Sequence, residues 1–88
     1  MPVLSSFYGI IIRMYQEASE KHKKPHLHAE YAGDEIVITF DGEILEGKIP
    51  KSKLKLLEAW MVIHHDDLEA NWKLLSNGEQ FFRIDPLK

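Results

Sequence analysis

The sequence predicts an α+β domain: an antiparallel β-meander of about four strands, covered by one long helix or two short ones, with a closing C-terminal strand. Three observations predict it. Short strand-like segments follow one another from Phe7 to Ile49, parted by Ala32-Gly33-Asp34 and Asp41-Gly42. From Pro50 to Asn77 no further Pro or Gly intervenes, and apolar residues recur at helical spacing. Gln80 to Ile84 then alternates again ahead of Pro86.

Phe7 to Tyr15 is rich in aromatic and β-branched residues and reads as the first strand, with Gly9 marking a bulge or a close backbone approach. Gln16 to Lys24 is polar and reads as a loop ending at Pro25. His26–Tyr31, Glu35–Phe40 and Glu43–Ile49 are the next three strands. Asp-Gly between alternating segments is a strong hairpin signal, because both turn residues must accept positive φ. A two-residue turn at Asp41-Gly42 sets Phe40 opposite Glu43 and Ile38 opposite Leu45. With an even turn before it, Leu27, Ala29 and Tyr31 share a face with Ile36, Ile38, Phe40 and Leu45. The other face carries His26, His28, Glu30, Val37, Thr39, Ile44, Glu46 and Lys48, so the histidines fall on the more polar side.

The apolar face needs a cover, and the stripe Leu54, Leu57, Met61, His64, Leu68, Trp72, Leu75 supplies it. Pro50 suits a helix start and Gly78 a stop. Asp66-Asp67 are weak helix formers, so a break near His65 is one outcome. His64 lies on the stripe and is expected to be more buried than His65.

The 88 residues form one domain, residues 1–88, with no room for a second core. Apolar and charged contents of 44% and 28% are those of an ordinary globular protein. A net charge of −3 exerts no global pull on nucleic acid or anionic lipid. The lack of cysteine excludes disulfides and thiolate zinc sites. No apolar run approaches membrane length, and Met1-Pro2-Val3 does not open a signal-type segment, so a soluble cytoplasmic protein is expected. There is no glycine-rich phosphate loop, no Gly-x-Ser-x-Gly and no His-Glu-x-x-His.

The densest chemistry lies in Pro25-His26-Leu27-His28-Ala29-Glu30-Tyr31. His26 and His28 stand side by side on one strand face, roughly 7 Å apart at Cα. With His22 upstream they supply three nitrogens for a metal, with Glu30 completing or orienting the shell. The same His26, His28 and Glu30 suit general acid–base catalysis, one histidine taking a proton and another returning it. They equally suit a polar strand face that packs and hydrogen-bonds locally. No organic cofactor is indicated. A second feature is a set of cations: Arg13, Lys21, Lys23 and Lys24 near the histidines, and Lys48, Lys51, Lys53 and Lys55 around the helix start. Positive charge there opposes the helix dipole, which an anion would offset. A solvated lysine face is the plainer alternative.

The runs Phe7-Tyr8-Gly9-Ile10, Arg13-Met14-Tyr15, Pro25 to Tyr31, Glu46-Gly47-Lys48-Ile49-Pro50, Asn71-Trp72 and Ile84-Asp85-Pro86-Leu87 together resemble the bacterial domain of unknown function family 4160. The family's loop usually reads Asp-His-x-Pro-Pro-His-x-His. Here His22, Pro25, His26 and His28 match, while Lys21 and Lys24 replace the acid and the first proline. The resemblance brings no established activity. It implies a small bacterial cytoplasmic protein whose gene sits beside that of another small protein, in an arrangement similar to toxin–antitoxin pairs. The leading expectation is therefore a binding module that contacts this small protein partner, or RNA, through the face of His26, His28 and Glu30, with Arg13, Lys21, Lys23, Lys24, Lys48, Lys51 and Lys53 placing phosphates. A metal-independent ribonuclease using the paired histidines is the alternative, and a metal-binding regulator using His22, His26 and His28 is the third. Homo-oligomerisation is left open, and no membrane association is expected.

Overall fold

The computed structural model describes residues 3–15 and 24–88. Five strands come first: β1 (Val3–Phe7), β2 (Ile10–Arg13), β3 (His26–Tyr31), β4 (Asp34–Thr39) and β5 (Ile44–Gly47). Two helices follow, α1 (Lys51–Ile63) and α2 (His65–Ser76). The strands form one antiparallel sheet in the order β1-β2-β3-β4-β5, a simple meander. The α+β class therefore stands, with one more strand in the meander than expected.

The extra strand arises at Tyr8-Gly9. Both residues have positive φ, +50° and +82°, and Phe7 pairs with Ile10. That is the geometry of a two-residue hairpin turn whose twist suits its strands. Gly9 is thus a turn residue rather than a bulge, and Phe7 to Tyr15 is not a single strand. The alternation runs unbroken through the turn, and Tyr is a strand former, so the sequence concealed it. Ala32-Gly33 makes a similar two-residue turn between Tyr31 and Asp34. Its even length gives the expected faces, with Leu27 opposite Ile38 and Ala29 opposite Ile36.

The β4–β5 connection differs from expectation and then recovers. Its loop has three residues, Phe40-Asp41-Gly42, because Thr39 N–H donates to Glu43 O (2.8 Å) and Gly42 N–H to Thr39 O (2.9 Å). Thr39 Oγ1 also accepts from Glu43 N–H at 3.0 Å. Ile38 consequently opposes Ile44 rather than Leu45. The register then shifts by one residue, and Val37 pairs with Glu46 as a two-residue turn would have had it. An odd loop and a one-residue bulge cancel.

The helices cover the face carrying Leu27, Ala29, Ile36 and Ile38. These join Leu4, Ile10, Ile12, Phe40, Leu57, Trp60, Met61 and Leu68 in one core, with Tyr31, Leu54 and Trp72 at its margin. The helical stretch breaks at His64, whose φ and ψ of −108° and 24° are not helical. His64 N–H still donates to Trp60 O, and its own carbonyl accepts from Leu68 N–H, so it ends one helix and opens the next. Asp66 and Asp67 then occupy the first turn of α2, where negative charge favours the dipole. The side chain of His64 is 19% exposed and that of His65 42%, the expected order.

The closing C-terminal strand is not found: residues 79–88 contain no regular strand. The tail is instead tied down by side chains. Asn71 Nδ2 donates to Phe82 O (2.9 Å), and Phe82 N–H donates back to Asn71 Oδ1 (3.0 Å). Trp60 Nε1 donates to Asp85 O at 2.8 Å. One main-chain bond, Ile84 N–H to Leu4 O, meets the sheet at β1. The Asn71 amide takes both main-chain groups of Phe82 that a strand ladder would need.

Candidate functional site

The sheet face opposite Leu27, Ala29, Ile36 and Ile38 is built by pairing. Arg13 of β2 stands opposite His28 of β3, and His28 stands opposite Val37 of β4. Glu30 lies opposite Glu35. Alternation therefore gathers Arg13, His28, Glu30 and Glu35 on one surface, and Tyr15 joins two residues after Arg13. These five line a pocket of about 260 Å3. Arg13 donates to the Glu30 carboxylate in a partly buried ion pair. The Tyr15 and His28 rings stack, with centroids 4.2 Å apart and planes 15° from parallel, and the Tyr15 hydroxyl lies 3.1 Å from His28 Nδ1. Glu35 Oε1 lies 4.0 Å from the same nitrogen.

Of the residues singled out in the sequence, Arg13, His28 and Glu30 come together here. Tyr15 and Glu35 were missed. Their signals were parity with Arg13 and a place directly across a two-residue turn from Glu30.

The histidines are more enclosed than a polar face suggested. His26 is fully buried and His28 is 5% exposed. The His26 ring packs 5.2 Å from that of Trp72 and 5.5 Å from that of His28. Its Nδ1 lies 2.6 Å from Lys24 O, and a carbonyl only accepts, so Nδ1 carries the proton. This bond folds Lys24-Pro25 back onto β3. His26→Ala should therefore destabilise by on the order of 1–3 kcal/mol, lowering the melting temperature by at least about 4 °C. Thermal unfolding at unchanged buffer tests this. Melting like the parent would return His26 to a free, functional surface.

The cations do not form one surface. Lys53 Nζ donates to Tyr8 O (3.1 Å) and sits 4.9 Å from the centre of the Tyr31 ring, on the helix-covered side. It ties α1 to the β1–β2 turn instead of waiting for an anion. Lys24 pairs with Glu43 at 3.0 Å in solvent, and that hydrogen bond and charge hold its ammonium above the ordinary value. Lys48 lies between β5 and α1, and Lys51 is the first residue of α1. Lys21, Lys23 and His22 lie outside the described residues. Among the described residues no three His, Asp or Glu side chains are grouped to hold a metal ion.

A family model described as Domain of unknown function (DUF4160) matches residues 9–73. The chain belongs to this family. No curated protein and no solved structure matches it. The DUF4160 match runs from the β1–β2 turn into α2 and takes in all five pocket residues, as well as Trp60 and Asn71. β1 and the tail that those two side chains hold lie beyond it, as do Ile84 to Leu87. Among the described residues no helix is long and apolar enough to cross a membrane.

Proposed function

We propose that this DUF4160 chain is a protein-binding module of the bacterial cytoplasm. It would be one half of a two-gene, toxin–antitoxin-like pair, meeting its small partner through the pocket of Arg13, Tyr15, His28, Glu30 and Glu35. The observation that carries the reading is the charge set of that pocket among the described residues. There Arg13 is paired with Glu30, and a second carboxylate, Glu35, stands beside it with its side chain 52% exposed. Such a surface repels phosphates, which weighs for a protein partner over RNA. Paired-histidine ribonuclease chemistry needs two rings that reach substrate, and the His26 ring is enclosed with Nδ1 committed to Lys24 O.

Co-expression with the product of the adjacent gene, followed by affinity capture of the tagged chain, tests the proposal. The wild type should bring that product down in fixed ratio. Glu35→Lys, at an exposed position, should melt within a few degrees of the parent yet lose the complex by at least about tenfold in affinity. A wild-type chain that emerges without the neighbouring product refutes the reading. So does a complex indifferent to Glu35→Lys, or one replaced by RNA whose retention falls steeply with salt.

A further inference from the structure

Resting on that reading, we infer that the pocket receives one arginine side chain of the partner. Three features point to a guanidinium. First, Glu30 and Glu35 face each other directly across β3 and β4, an arrangement of like charges that destabilises a sheet. Arg13 is paired with Glu30. The nearest nitrogen to Glu35 among the described ion pairs is His28 Nδ1 at 4.0 Å, beyond hydrogen-bond range. A cation placed against Glu35 relieves the opposition. Second, the stacked Tyr15–His28 pair gives the pocket a flat π wall. A planar guanidinium can lie along such a wall while two parallel N–H groups grip a carboxylate, whereas an ammonium supplies only a point charge. Third, about 260 Å3 is room enough for one long side chain. Arg13 already models the chemistry, since it spends its own guanidinium on Glu30 in the same pocket.

The test uses the full-length chain and N-acetyl-arginine methylamide as probe, followed by NMR. The shifts of Tyr15, His28 and Glu35 should move saturably, with a dissociation constant on the order of millimolar for so small a ligand. Glu35→Gln should weaken the probe by about tenfold. Glu58→Gln removes one exposed carboxylate on α1 and should leave binding unchanged, which separates a local grip from general charge. N-acetyl-lysine methylamide binding equally well, inorganic phosphate moving the same resonances more strongly, or Glu58→Gln matching Glu35→Gln would each overturn the inference. Failure of the arginine probe with the neighbouring product still captured overturns this inference alone. Arginine binding without that product overturns the two-gene reading alone.

Discussion

Gly47→Ala should lower the melting temperature by at least about 12 °C, the largest loss expected from adding a Cβ at any of the five glycines. Two costs coincide at Gly47. Its φ of +74° is disfavoured for a residue with a Cβ, at about 1–2 kcal/mol. A Cβ built there would also lie 2.0 Å from Glu35 O, a main-chain atom that cannot swing away. Relieving the overlap means parting β5 from β4, where Gly47 pairs with Ile36 and Lys48 N–H donates to Glu35 O. The sum is on the order of 3–5 kcal/mol, and each kcal/mol moves a domain of this size by about 4–8 °C. Gly33→Ala isolates the first cost. Gly33 has φ of +91° but no atom within 4 Å of its would-be Cβ, so about 1–2 kcal/mol is expected. Equal melting of the two variants would refute the close approach of β5. Because Glu35 is the residue pressed upon, Gly47→Ala should also weaken binding at the pocket more than Gly33→Ala does.

Asn71→Ala should cost about 2–4 kcal/mol and loosen the whole C-terminal tail. Asn71 is fully buried, and its amide makes two hydrogen bonds to the main chain of Phe82. Truncation loses both bonds, strands one donor and one acceptor beside α2, and leaves a small void. Amide exchange should accelerate at Phe82 and at Ile84, whose N–H reaches Leu4 O. Trp60 should report the change in its emission, since its indole N–H is held by Asp85 O in the same tail. Asn71→Asp keeps an acceptor for Phe82 N–H but turns a carboxylate oxygen on Phe82 O. It should be at least as damaging as alanine. Exchange at Phe82 unchanged in Asn71→Ala would show that the tail is held by other contacts.

Both effects lie outside the histidine segment, although that segment was the most conspicuous in the sequence. His26 and His28 were read as chemistry because imidazoles with a carboxylate are the residues that do chemistry. In the fold, one is a core ring against Trp72 that fixes the Lys24-Pro25 turn, and only the other borders the pocket. Clustering on a strand shows that side chains share a face, but not how deeply neighbouring elements bury them.

The sequence by itself determined the α+β class, the paired faces of β3 and β4, the helical cover and the family. Each rests on a repeating local pattern: alternation with period two, an apolar stripe with period near 3.6, or a motif of fixed spacing. Only the tertiary structure decided the rest. The Tyr8-Gly9 turn lay hidden inside a continuous alternation. The three-residue loop at Asp41-Gly42 and its compensating bulge differ from a two-residue turn by a single hydrogen-bond register. The tail is held by Asn71 and Trp60 in place of a strand partner, because side-chain amides and indoles satisfy a backbone without any period to announce it. The pocket likewise joins Arg13 and Tyr15 to His28, Glu30 and Glu35 through pairing across three strands, a proximity that exists only once the sheet has formed.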